Sequence, residues 1–209
     1  MPTIVLSAML IVANVMGAGM IVPQVARLHR LKTTDGISGS WIGVGLAMNL
    51  WWIGYGWSAG LWGIIPVSAT AFVLYAVMTK QFADLSGAGS LRSVFASAVA
   101  LGAVPVPALI LNGWSTAGLV VGLCYAIQFA PAAIEAVRSH LLDGVSPTAW
   151  VMAGTEAGIW LIYGITQGDT ALVLGGGGGS IMSLLILSQL VRRASQRRAL
   201  RAAELTLAR

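Results

Sequence analysis

The chain has 209 residues, of which 57% are hydrophobic and 9% charged, with a net charge of +5. Soluble domains carry roughly 25% charged residues, and the mean hydropathy here is +0.83. So little charge cannot cover so much apolar surface, which excludes a soluble enzyme domain, a disordered chain and a collagen-like rod, and makes lipid the solvent for most of the surface.

The gaps between charges predict the spans, each needing about 20 residues of helix. Residues 1–26 carry no Asp, Glu, Lys or Arg and hold one span. This first span lacks the basic start of a cleavable signal and is expected to remain. Gly36 to Thr79 holds two, divided at Gly56-Trp57-Ser58-Ala59-Gly60-Leu61-Trp62. Ser93 to Ile134 holds two more, divided at Asn112-Gly113. Gly144 to Val191, interrupted only by Glu156 and Asp169, holds the last two, divided at Gly168-Asp169. The predicted helices are 3–27, 39–58, 61–80, 91–111, 115–138, 147–167 and 170–191. The apolar runs are continuous, without the alternation of a membrane barrel. Asp35 and Asp143 are expected to cap the second and sixth helices. Pro105 and Pro107 are read as structural residues of the fourth.

Every Lys and Arg follows an odd-numbered helix. Arg27, Arg30 and Lys32 follow the first, Lys80 and Arg92 bracket the loop after the third, Arg138 follows the fifth, and the other six arginines follow the seventh. Lys/Arg excess marks the cytoplasmic side, so the expected topology is a multi-pass protein of the cytoplasmic membrane with its N-terminus outside and its C-terminus inside. The arginine tail then reads as a topology signal attracted to anionic lipid, not as a nucleic-acid site. His29 and His140 fall in loops, Cys124 stands alone, and no cluster suggests a metal or cofactor.

The sequence also repeats. Laid on itself so that Val22 falls on Ala130, it runs in register to Gly56 on Gly164 without a gap, and eight of the 35 positions are identical: Pro23, Arg30, Asp35, Gly36, Ser38, Trp52, Tyr55 and Gly56. The predicted fold class is thus an all-α membrane protein of seven transmembrane helices, with two parallel three-helix repeats joined by an inversion-linker helix. Residues 1–80 form the first repeat, 81–114 the linker, 115–191 the second repeat and 192–209 a basic cytoplasmic tail. Parallel repeats of this kind enclose a solute site near the midplane.

Pro23-Gln24 at the end of the first helix, Asp-Gly-x-Ser after it in each repeat, and Trp-x-x-Tyr-Gly in the second and sixth helices resemble the PQ-loop superfamily. The 3+1+3 arrangement is similar to its SWEET branch, over about residues 1–192. The resemblance implies a transporter of sugars or other small solutes, some relatives being proton-driven amino-acid exporters, or a sorting receptor of the same fold. It also implies that the helix-two tryptophan of each repeat pairs with a residue of the third helix, where the family has Asn. The matching positions are Ser68 and Gly176.

Helical spacing puts Met48, Asn49, Trp52 and Tyr55 on one stripe of the second helix, and Glu156, Trp160 and Tyr163 on the equivalent stripe of the sixth. A broad aromatic face with few polar groups suits a small ligand. Glu156 is the only acid well inside a span, and such residues usually face a cavity; it could bind solute, carry a proton, or be a neutral acid bonded to Asn49 or Gln128. The expected solute-binding set is Asn49, Trp52, Tyr55, Ser68, Glu156, Trp160, Tyr163 and Gly176. Pro23, Gln24 and Pro131 mark either hinges of a gate or plain helix ends. Trp41, Trp57, Trp62, Trp114 and Trp150, near helix ends, read as interface anchors. Gly175 to Gly179 lack the Lys of a phosphate loop and are expected to let helices approach closely or bend. No nucleophile–base pair is visible, so the expected function is a carrier working by alternating access, with a proton-coupled transporter or a non-transporting receptor as alternatives. The expected partners are a small-molecule solute and membrane lipids, with a homo-oligomer possible.

Overall fold

A computed structural model of the chain describes residues 3–34, 37–129, 133–134, 136–137 and 147–207. The main α-helices among them are α1 (Thr3–Leu31), α2 (Gly39–Ser58), α3 (Ile65–Ser86), α4 (Leu91–Gly102), α5 (Val106–Ile127), α6 (Pro147–Gln167) and α7 (Thr170–Leu207). Helices α1, α5 and the Thr170–Gln196 part of α7 are long and apolar enough to cross a membrane. Ile4, Ile110 and Leu111 on the outer surface are each more than three-quarters exposed. The chain is an all-α, multi-pass membrane protein.

Several predicted boundaries are corrected. Helix α1 continues past Pro23 to Leu31, so that proline is internal and not a helix end. Ser38, not Asp35, is the N-cap of α2, its hydroxyl accepting from Trp41 N at 3.4 Å; Asp35, Pro131 and Asp143 lie outside the described residues. Helix α3 begins at Ile65 rather than 61 because Pro66 occupies its first turn, where a missing N–H costs nothing. The predicted fourth helix is broken between Gly102 and Val106. Pro105 and Pro107 have no N–H to donate there, so the chain tightens through Val104 N to Leu101 O and Val106 N to Ala103 O. The next interruption is Gly113, whose φ of 74° and ψ of −168° leave the helical region inside α5. Helix α7 continues through the arginine-rich tail to Leu207.

Contacts fix the relative senses of the helices. Helix α3 packs against both α1 and α2, and α7 packs against both α5 and α6. Gly56 meets Ile64 and Gly45 meets Tyr75, so α2 and α3 are antiparallel. Gly164 meets Leu172 and Gly154 meets Ser183, so α6 and α7 are antiparallel too. Helices α1 and α3 run the same way, through Leu10–Gly63 and Gly17–Val67, as do α5 and α7, through Gly122–Ala171 and Ala126–Gly178. Helix α4 runs along α2 in the same sense, from Gly43–Val94 to Ala47–Gly102, whereas α5 beyond Gly113 returns along α2 from Tyr55–Gly118 to Trp52–Tyr125. The chain therefore turns back at Gly113. These senses bring Arg30, Lys32, Lys80, Arg92 and Arg192 to one end of the bundle. Asp169 stands at the other.

The turn between α2 and α3 recurs in detail between α6 and α7, at the offset that relates the two sequence repeats. Leu61 N donates to Gly56 O at 2.8 Å, and Asp169 N to Gly164 O at 2.8 Å. Ser58 Oγ donates to Tyr55 O, and Thr166 Oγ1 to Tyr163 O. Gly60 and Gly168 both take the positive φ these turns need, 69° and 67°.

Candidate functional site

The first three helices meet the last three through two reciprocal pairings, α1 with α6 and α2 with α5. The shift that carries one sequence repeat onto the other exchanges these pairings. Several of the expected site residues lie along this seam.

Glu156 and Trp160 stand one turn apart on α6, both 6% exposed, and Trp160 Nε1 donates to Glu156 Oε1 at 3.2 Å. The carboxylate faces α1 at Gly17, where a methyl group would collide with Oε1 and with Val67 of α3. Trp52 on α2 is equally buried and meets Tyr125 of α5 edge to face at 6.2 Å. Each tryptophan also packs edge to face on the tyrosine one turn on, Trp52–Tyr55 at 6.0 Å and Trp160–Tyr163 at 5.9 Å. Ser68 is buried on α3. The structure thus brings Trp52, Tyr55, Ser68, Glu156, Trp160 and Tyr163 into the interior.

Asn49 is placed differently. It is half-buried, and its amide donates to Gly45 O of its own helix at 2.8 Å. Met48, the repeat counterpart of Glu156, takes the buried position instead. Gly176 lies against the α6 backbone at Ala157 O and Leu161 N, with no room for a side chain. Its four glycine neighbours are helical as well. Gln24 is half-buried and Pro23 exposed.

The tyrosine hydroxyls cross the seam at the end opposite the basic residues. Tyr55 Oη donates to Asp169 Oδ2 at 2.6 Å, while Oδ1 of the same carboxylate accepts from Leu172 N at 2.8 Å and caps α7. Tyr163 Oη reaches the backbone of Gly63 in the other half. One apolar cluster joins both halves at this end, including Trp52, Leu61, Ile64, Trp160 and Leu172. At the basic end the described residues form two separate clusters, one around Leu28, Tyr75 and Met78, the other around Ala136 and Ile186.

Sequence reasoning missed Gly17, Tyr75, Tyr125 and Asp169. Gly17 and Tyr125 stand at matching places in the two repeats, so extending the register upstream of Val22 would have flagged them. Asp169 reads in the sequence only as a break. No family model matches the chain, and no curated protein matches it.

Proposed function

We propose that this chain is a carrier similar to the SWEET branch of PQ-loop proteins, with seven spans in two parallel three-helix units and α4 as the linker. It moves a small polar solute by alternating access across a cytoplasmic membrane, with its basic end inside. The observation that carries this reading is Glu156, a carboxylate buried beside Trp160 on the seam between two units of matching helix order. Membrane proteins rarely bury an acid at mid-helix without a polar path to serve.

Helices one, three, two and five, seven, six share one packing order, and the cross-contacts are reciprocal, as an axis along the membrane normal requires. The joined cluster and the Tyr55–Asp169 bond at the uncharged end, against separate clusters at the basic end, fit a state closed outward. Rocking of the units would exchange which end is joined. Pro23 removes one backbone bond inside α1 and is the proposed hinge in that helix.

Purified protein in liposomes is expected to accumulate a labelled solute saturably and to lose this with Trp52→Ala or Trp160→Ala. Binding without uptake would instead identify a receptor. The buried acid at position 156, with no ion pair among the described residues, also favours a proton-coupled cycle. In that case a pH gradient drives uptake and Glu156→Gln abolishes the coupling, whereas gradient-independent uptake surviving Glu156→Gln rules it out.

A further inference from the structure

Glu156 is a buried acid without a counter-charge among the described residues. Trp160 holds one of its oxygens, and among the described residues no second hydrogen bond or ion pair reaches the carboxyl group. Two of the described cations are bound elsewhere: Lys80 binds Asp84 at 2.6 Å, and Arg193 donates to the carbonyls of Ala136 and Val137. An isolated carboxylate is expensive to bury. A ligand that brings the positive charge removes the imbalance.

The surrounding walls suit such a ligand. Trp160, which holds the carboxyl group, shares one apolar cluster with Trp52, and Tyr125 packs against that cluster. Trp52 packs edge to face on Tyr125, so aromatic rings from α2, α5 and α6 gather in the cluster that borders the carboxyl group. Ring faces attract cations, the more strongly where water is excluded. The same place is poor for a sugar, whose hydroxyls need several donors and acceptors: the Asn49 amide is committed to Gly45 O, Gly176 has no side chain, and neither α3 nor the spanning part of α7 contains Asn. A zwitterion would leave its own carboxylate without a partner.

We propose that the solute is a small organic cation, its charged group seated against the Glu156 carboxylate and Trp160, beside Trp52 and Tyr125. This rests on the carrier reading for the movement of the solute, but not for its binding.

The two can be separated with the full chain in nanodiscs and in liposomes. Choline, ethanolamine and guanidinium are titrated against tryptophan fluorescence and melting temperature, with glucose and alanine in parallel. At least one of the three cations is expected to bind saturably and stabilise the protein. Its affinity should fall at least about tenfold in Glu156→Gln and be largely kept in Glu156→Asp, since each 1.4 kcal/mol is a factor of ten. Trp52→Leu, which removes a ring but no charge, is expected to weaken binding too, and serves if Glu156→Gln does not fold. Failure of all three cations to bind, or equal binding by a folded Glu156→Gln, overturns the proposal. Glucose uptake without cation binding overturns it and leaves the carrier reading standing. Cation binding without uptake into liposomes supports the site and overturns the carrier reading.

Discussion

Tyr55 and Asp169 belong to different three-helix units in the proposed architecture, so their 2.6 Å bond ties the two together. Hydrogen bonds to charged groups contribute about 1.5–3 kcal/mol. Tyr55→Phe and Asp169→Asn should each lower the melting temperature, and a double-mutant cycle should show coupling of at least about 1 kcal/mol. Additive effects would mean that the bond does not form. Trp51 makes a different kind of contact. Its Nε1 donates to Gly102 O at 2.8 Å, the carbonyl whose helical donor, Val106 N, has turned to Ala103 O instead. Trp51→Phe leaves that carbonyl without a donor in a lipid-facing bundle and should cost about 1–3 kcal/mol, read by thermal unfolding in detergent. At this scale the paired tryptophans and Glu156 were legible because type and position recur or stand out. Asn49 fell on the same stripe as Met48 because both lie at helical neighbour spacings from Trp52, three and four residues away; the structure buries Met48 and leaves Asn49 half-buried. Spacing alone cannot say which of two adjacent residues, about 100° apart around the axis, faces inward.

Helix α7 packs between α5 and α6 through its glycine run, and the five glycines are not equivalent. A methyl group on Gly176 would strike backbone atoms of Ala157 and Leu161, which cannot move without shifting α6. One on Gly177 would meet only the flexible end of Leu161 at 3.8 Å. Gly176→Ala is therefore expected to destabilise by about 1–3 kcal/mol through overpacking. Gly177→Ala should be neutral or stabilising by up to about 1 kcal/mol, because alanine is the better helix former. Thermal melts of the two variants side by side test this, and equal melting temperatures would contradict the packing. The sequence suggested that these glycines serve close approach, but not which of them does, since that depends on the rotational setting of α7 against two neighbours. Element boundaries were legible where a glycine takes positive φ, at Gly60, Gly113 and Gly168. They were misplaced where proline chemistry was underweighted. Pro66 sets the start of α3, and Pro105 with Pro107 breaks the predicted fourth helix, although both prolines are plain in the sequence.

At the scale of the whole molecule, the basic residues and the helix senses make one joint prediction about sidedness. Arg30, Lys80, Arg92 and Arg192 gather at one end because α1, α3 and α7 run toward it and α2, α4 and α6 run away. The sequence showed the charge asymmetry, and the contacts show that it corresponds to one physical end of the bundle. The positive-inside rule predicts that this basic end faces the cytoplasm. Single cysteines in a Cys124→Ser background can test this, since Cys124 is buried and its loss leaves no other thiol. Ala59, Ser115 and Gln167 are exposed at the uncharged end, and Ala88 is exposed at the basic end. In intact cells a membrane-impermeant maleimide should label cysteine at 59, 115 and 167, and should label cysteine at 88 only after permeabilisation. The reverse pattern would invert the topology without disturbing the fold. Labelling of 59 and 88 from the same side would remove α3 as a span, and labelling of 88 and 115 from the same side would remove the broken fourth crossing. Either result would leave the two units pointing in opposite senses relative to the bilayer, and the shared cavity between parallel triplets would no longer be possible.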